Sequence, residues 1–370
     1  MIGLNSCNAS TLKVGSGKMY LKIQDAIDNS SAGDTIHVDS GTYNEKIIIE
    51  KELTLTGENK ENTIIDHTSS YNVIIIKADN VKISGFTIQD SISWDYSGIK
   101  IENAENCIIE NNIFFSNEGN GIYLKKSHEN LITRNDFNNN YYALKLEDSE
   151  NNSIIDNDFN YNWFSIFLKD SLNNIISNNE LKNSKSISIS LNTAKNNIIN
   201  NNNLIDNPQG MKFDDYSNNN KVYNNNIENS KYNGIVTQIE SKMNTFYHNN
   251  FINNTNHATV DLHRNYWYNS TLKEGNYWDD YQGTDDNNDG IGDQQYQIGE
   301  GVNTYYDLYP LMEPLIINND GNLGNNNDIL DNGNDNQNED NKGSPGFELT
   351  LIVIAIASIV IVINRKKILK

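Results

Sequence analysis

Apolar residues along the middle of this chain recur in a fixed relation to asparagine. Seven segments, NCIIENNI, NLITRNDF, NSIIDNDF, NIISNNEL, NIINNNNL, NKVYNNNI and NTFYHNNF, share the octet Asn-x-apolar-x-x-Asn-x-apolar and begin at Asn106, Asn130, Asn152, Asn174, Asn197, Asn220 and Asn244. Successive starts lie 22 to 24 residues apart. The third position (Ile108, Ile132, Ile154, Ile176, Ile199, Val222, Phe246) and the eighth (Ile113, Phe137, Phe159, Leu181, Leu204, Ile227, Phe251) form two apolar columns. The sixth is always Asn: Asn111, Asn135, Asn157, Asn179, Asn202, Asn225 and Asn249. Later in each repeat, pairs such as Ile122/Leu124, Leu144/Leu146, Ile166/Leu168, Met211/Phe213 and Val260/Leu262 alternate with the period of two expected of strands. Each repeat thus holds two or three short strands and no helix.

One such coil cannot bury its apolar face until a neighbour stacks on it, so the period predicts a solenoid. The third and eighth positions are an odd number of residues apart, and both face inward only if the chain bends between them. The fixed Asn is expected at that bend, because Asn tolerates the left-handed backbone conformation and its amide can bond to the equivalent amide one coil away. A leucine-rich repeat has a similar period, but its spacing rule is not met. The predicted fold is all-β, a right-handed parallel β-helix of roughly 10 coils. The pattern loosens upstream through DNVKISGF and KELTLTGE, and before them an amphipathic helix at about Leu21 to Asn29 is placed to cover the open end of the stack. The expected organisation is an N-terminal segment (1–18), the β-helix (19–270), an acidic exit module (271–316), an Asn/Asp/Gly-rich disordered linker (317–344) and a C-terminal apolar segment (345–370).

From about Tyr20 to Met312, the opening IQDAI…AGDTI…GTY, the NxIxxNxF coils and the exit module GNYWDDYQGTDDNNDGIGDQQY resemble the pectin-lyase-like β-helices, in the branch called NosD-like or carbohydrate-binding and sugar-hydrolase repeats. The resemblance implies the fold. It leaves activity open, since that fold hosts lyases, hydrolases, epimerases and pure binding proteins.

Composition narrows the partners. A net charge of −21 and only three arginines, Arg134, Arg264 and Arg365, exclude a nucleic-acid surface, which needs clustered cations. Two cysteines, Cys7 and Cys107, make neither a disulfide framework nor a thiolate metal site. The 69 asparagines reflect more than codon bias, because bias does not select register.

In the exit module, Asp285, Asn287, Asp289 and Asp293 with the Ile291 carbonyl and Gly290 stand at the spacing that wraps one hard cation, and structural Ca²⁺ is expected there. Tyr296 stands where an EF-hand has its bidentate Glu, so a last ligand would come from Asp307, Asp279, Asp280 or water. Copper, implied by the NosD resemblance, needs clustered His, Met or Cys, and the sequence shows no cluster.

Catalytic signatures of polygalacturonases and alginate epimerases are absent, and the weak candidates for an active site are Asp261, His263 and Arg264. Tyr141, Tyr142, Trp163 and Tyr232 fall at one corner of their repeats, with Trp94, Tyr96 and Tyr161 as further members, and aromatic faces beside amides suit sugar rings. The tail Pro345-Gly346-Phe347, the run Leu349 to Ile363 and the basic end NRKKILK resemble the archaeal PGF-type sorting signal, which implies anchoring on the extracellular face. No apolar run of signal-peptide length stands in the first twenty residues. These features lead to a cell-surface β-helix that binds glycans or serves in an envelope or adhesion layer without catalysis. The alternatives are a polysaccharide lyase or other carbohydrate-active enzyme and, behind it, a copper-related periplasmic protein. The oligomeric state is left open.

Overall fold

The computed structural model describes residues 9–317, apart from 67–70, 90, 92 and 300–303. The chain forms a right-handed parallel β-solenoid of about 11 turns. Each coil contributes one strand to each of three sheets. In the coil that opens at Asn130, Leu131–Thr133 joins the first sheet, Asp136–Asn138 the second and Tyr142–Glu147 the third. The next coil pairs in register, placing Ile154 beside Ile132, Phe159 beside Phe137 and Ile166 beside Leu144.

The apolar columns fill the interior. Ile132, Ile154, Ile176, Ile199, Val222 and Phe246 are fully buried, as are Phe137, Phe159, Leu181, Leu204, Ile227 and Phe251. Phe114, Phe137 and Phe159 stack at 4.8 and 4.7 Å between ring centres. Each such side chain contributes about 1.5–3 kcal/mol of hydrophobic burial.

The first octet is corrected by one residue. Ile109 and Phe114, not Ile108 and Ile113, are the fully buried members, paired with Ile132 and Phe137, and Asn112, not Asn111, bonds to Asn135. Cys107 stands where the other coils have their first Asn, so the neighbouring Asn106 and the doublet Asn111–Asn112 permit a false register. Leu262 is likewise exposed, because the last strand of the third sheet ends at Val260, whereas Ile189 and Leu191 supply an inward pair in an intermediate coil.

The bend has two parts. The left-handed conformation belongs to the residue before the fixed Asn: Asn111, Arg134, Asp156, Asn178, Asn201, Asn224 and His248 have φ between 52° and 59°. That residue turns the chain with its side chain outward, and the following Asn points inward. The amide ladder forms as expected. Asn157 donates from its backbone N and its Nδ2 to Asn179 Oδ1 (3.0 and 3.1 Å), and Asn179 donates likewise to Asn202 Oδ1 at 3.0 Å each. Asn130, Asn152, Asn174, Asn197, Asn220 and Asn244 make a second ladder, and Asn117, Asn140 and Asn162 part of a third, five residues after the middle one. Most corners therefore use one device, a left-handed residue followed by a buried polar group, which satisfies backbone groups that the sheets leave over, while Val81, Ala104, Cys107 and Ala194 take that place at four others.

Both ends of the stack are closed. Ile23–Asn29 is the expected helix, two residues shorter at its start, with Ile23, Ala26 and Ile27 buried on the first coil and its N–H groups at Ile23 and Gln24 held by the Glu45 carboxylate. At the other end, Trp278 stacks on Phe251 at 4.2 Å and Tyr296 on Trp278 at 4.3 Å. The middle ladder ends at Asn276, which donates from N (2.7 Å) and Nδ2 (3.3 Å) to Asp307. A carboxylate suits this position because it accepts without having to donate onward. Trp278 Nε1 and the Tyr309 N–H also donate to Asp307, at 3.0 Å each, while burial pushes the carboxyl up to about 6.

The linker beyond Ile317 and the tail with Pro345, Gly346 and Phe347 lie outside the described residues. Among the described residues no helix is long and apolar enough to cross a membrane.

Candidate functional site

An open groove of about 550 Å³ runs along the corner formed by the third ladder. Asn117, Asn140 and Asn162 fix the backbone there, and the residue after each ladder position projects outward as Glu118, Tyr141 and Trp163. Tyr141 and Trp163 stack at 5.9 Å with their planes 19° apart, and Trp94 lies 4.6 Å from Tyr141. Trp94 comes from a short insertion, and Gly119 lets that insertion pack down. A Cβ at Gly119 would stand 2.1 Å from the Tyr96 carbonyl and 2.5 Å from that of Ser93. Trp94 and Trp163 remain 68% and 45% exposed, so the stack presents apolar ring surface to solvent. Lys185 and Asn139, bonded to each other at 2.7 Å, supply polar groups beside it.

The structure does not bring the four aromatic residues predicted from sequence to one place. Tyr142 is half-buried against Phe164 (4.9 Å) and touches Tyr141 edge-on (4.9 Å), so it supports the groove from below. Tyr232 occupies the same corner three coils beyond Trp163, roughly 14 Å away at the usual strand spacing, and its ring meets Lys231 instead. Trp94 completes the stack, and Lys185 was not foreseen at all.

The exit loop holds its carboxylates against its own backbone. Asp285 accepts from the N–H groups of Asp289 (3.2 Å) and Gly290 (2.9 Å), Asn287 Oδ1 from Asp289 (3.0 Å), Asp289 from Ile291 (2.9 Å) and Asp293 from Asp286 (2.7 Å). The suggested additional ligands are engaged elsewhere, Asp307 at the ladder end and Asp279 and Asp280 with His257.

Asp261, His263 and Arg264 each have a separate partner. Asp261 Oδ1 accepts from the Leu262 N–H at 2.7 Å, His263 pairs with Glu240 at 3.0 Å, and Arg264 lies over the Tyr266 ring at 5.2 Å.

One group of His, Cys, Asp and Glu side chains among the described residues converges as metal ligands do: His257, Asp279 and Asp280. His257 Nε2 lies 2.9 Å from Asp279 and 3.3 Å from Asp280. Asn254, whose Oδ1 is held by the Ser230 N–H, presents its Nδ2 to His257 Nδ1 at 3.3 Å. That contact favours a lone pair on Nδ1 and the proton on Nε2, directed at the carboxylates. The trio is therefore a hydrogen-bonded clip joining the last coil to the exit module. It contains no sulfur and one imidazole, and it does not fit the soft ligand set of a copper(I) site.

Comparison with known proteins agrees with this architecture. Residues 27–162 and 119–283 match the family described as periplasmic copper-binding protein (NosD). A cell surface glycoprotein of Methanothermus fervidus is 39% identical over 107 residues, covering 28% of this chain and 17% of that protein's length. Among solved structures, an alginate lyase from Paenibacillus sp. superposes with a TM-score of 0.50 at 11% identity, over 70% of this chain and 99% of that one. The ORF18 protein of Geobacillus virus E2 gives 0.53 at 15% identity, over 66% and 57%. At these identities the two structures share the fold alone. The family match covers well over half of the sequence, and the chain belongs to the NosD family of parallel β-helix proteins.

Proposed function

We propose that this protein is a cell-surface β-helix that binds glycans without transforming them, with the Trp94–Tyr141–Trp163 groove as the contact site. The observation that carries the reading is the exposed aromatic stack lined by amides and a lysine, since sugar rings offer a flat apolar face and hydroxyls to match both. The likeness to a cell surface glycoprotein supports the location. Anchoring through the segment containing Pro345, Gly346 and Phe347 belongs to the same proposal. The non-catalytic reading is supported by the separate engagement of Asp261, His263 and Arg264. Ca²⁺ in the exit loop is proposed as a structural ion, on the spacing of Asp285, Asn287, Asp289, Ile291 and Asp293. A glycan array run with and without calcium tests the whole. Retained binding with intact ligand, lost in Trp163→Ala, is expected. Shortened or unsaturated products would establish a carbohydrate-active enzyme instead, and no binding to any glycan would refute the proposal.

A further inference from the structure

The groove carries one charge of each sign, from Glu118 and Lys185. Glu118 lines one end, beside the Trp94 insertion, and Lys185 the other, beyond Trp163. Both are exposed. Lys185 forms no salt bridge among the described residues, and its ammonium reaches back across the intervening coil to Asn139 Oδ1 at 2.7 Å. Many other lysines of this acidic chain lie against a carboxylate, as Lys77 does with Glu50, Lys100 with Glu102, Lys145 with Glu147 and Lys212 with Asp214. An ammonium keeps two further donors after one hydrogen bond, so Lys185 retains capacity for an anionic group next to Trp163. Glu118 is three coils from the Lys185 backbone but only one coil, roughly 5 Å along the stack, from the coil of Asn139, which holds the ammonium, and it offers only acceptors and negative charge.

Resting on the glycan-binding reading, we infer that the groove selects a heteroglycan with one acidic residue, its carboxylate or sulfate at Lys185, followed by a neutral residue at the Glu118 end. The acidic ring lies over Tyr141 and Trp163, where Asn139 holds the ammonium. Hydroxyl donors of the neutral ring meet Glu118. A homopolymer with an acid on every ring places one of its charges against Glu118 and is disfavoured there, while a neutral glycan stacks on the aromatic rings but leaves Lys185 unused. The chain's large net negative charge acts in the same direction by repelling polyanions generally.

The test is calorimetric titration of the full chain, at one fixed ionic strength, with three probes. These are cellotetraose, neutral throughout; a hyaluronan tetrasaccharide, acidic on alternate rings; and tetragalacturonate, acidic on every ring. The hyaluronan probe is expected to bind about five-fold more tightly than either of the others, the worth of one partly exposed charge contact. Lys185→Gln removes its advantage over cellotetraose, and Glu118→Gln raises the affinity for tetragalacturonate by about the same factor. Equal affinities for the three probes, or a preference that neither substitution changes, overturn the charge-pattern inference and leave glycan binding standing. Binding of none of them, with Trp163→Ala indistinguishable from the parent, overturns the glycan-binding reading itself.

Discussion

Truncating one rung of the middle ladder separates its contribution from that of the left-handed corner beside it. Asn179→Ala removes an acceptor for two buried donors, the backbone N and Nδ2 of Asn157, and removes the donor to Ile154 O (2.9 Å) and Asn202 Oδ1 (3.0 Å). Asn157 Nδ2 keeps Ile132 O and Ile155 O, but its backbone N–H loses the ladder acceptor. One orphaned buried donor costs about 1–3 kcal/mol, and with the lost amide packing the total is about 2–4 kcal/mol. Asn178, one residue earlier at φ 56°, is the comparison. Asn178→Ala carries the penalty of a left-handed alanine, about 1–2 kcal/mol, and loses the outward contacts of Asn178 with Ser177 Oγ (3.3 Å) and Asp156, whereas Asn178→Gly loses the same contacts without the strain. Urea unfolding followed by circular dichroism measures the global change, and amide hydrogen exchange locates it, since a solenoid coil couples mainly to its neighbours. The expected result is a larger loss for Asn179→Ala, with protection reduced in the coils of Asn157 and Asn202. If Asn179→Ala costs no more than Asn178→Ala and the Asn157 amide stays protected, the ladder is not a main source of stability.

Four further predictions concern other parts of the fold. Because burial raises the Asp307 carboxyl from 3.8 to about 6, the folded chain holds that proton more tightly than the unfolded one. The sign follows: this group favours folding most below about pH 4, and the contribution falls by about 3 kcal/mol as pH rises through about 6. The stability difference between the parent and Asp307→Asn should therefore shift toward the parent on acidification, and a difference independent of pH contradicts it. Calcium should raise the melting temperature and a chelator lower it, with both responses lost in the Asp285→Ala/Asp289→Ala double variant; melting indifferent to calcium and chelator removes the site. Burial pushes the Cys107 thiol up to about 11, so it should resist a thiol reagent at pH 8 until the chain unfolds. Cys107→Asn should extend its ladder and add about 1 kcal/mol, read from the urea midpoint.

The repeat was legible because two signals coincide, apolar positions of fixed spacing and an amide that cannot be exchanged for another residue where it is buried. The first coil shows the limit. Where Cys107 replaces the amide, the adjacent Asn106 and Asn111 offer a second register with equal apolar matches, and only pairing with Asn130 and Ile132 decides between them. The left-handed residues were assigned one place late for a related reason. The preceding position is not uniformly Asn, since Asp156 and His248 also tolerate the left-handed region and at Arg134 tertiary structure imposes it. A third column at Asn117, Asn140 and Asn162 could have been read from its five-residue offset, which repeats the spacing of the first two. Site residues were less legible. Trp94 reaches Tyr141 from an insertion that lies outside the period, and Lys185 bridges two coils through a contact 46 residues apart in sequence. Conversely, Tyr232 satisfies the corner spacing but stands too far along the stack.

The four tryptophans allow the central claim to be tested directly. Trp267 and Trp278 are buried to within 1% of full coverage, whereas Trp94 and Trp163 are exposed and line the groove. Acrylamide quenching of tryptophan emission, measured while titrating the best ligand from the glycan array, reports on the exposed pair alone. Occupation of the groove predicts saturable protection of the quenchable fraction, with little left to protect in a Trp94→Leu/Trp163→Leu double variant. Unchanged quenching at saturating glycan, or equal glycan affinity in that double variant, would contradict the account.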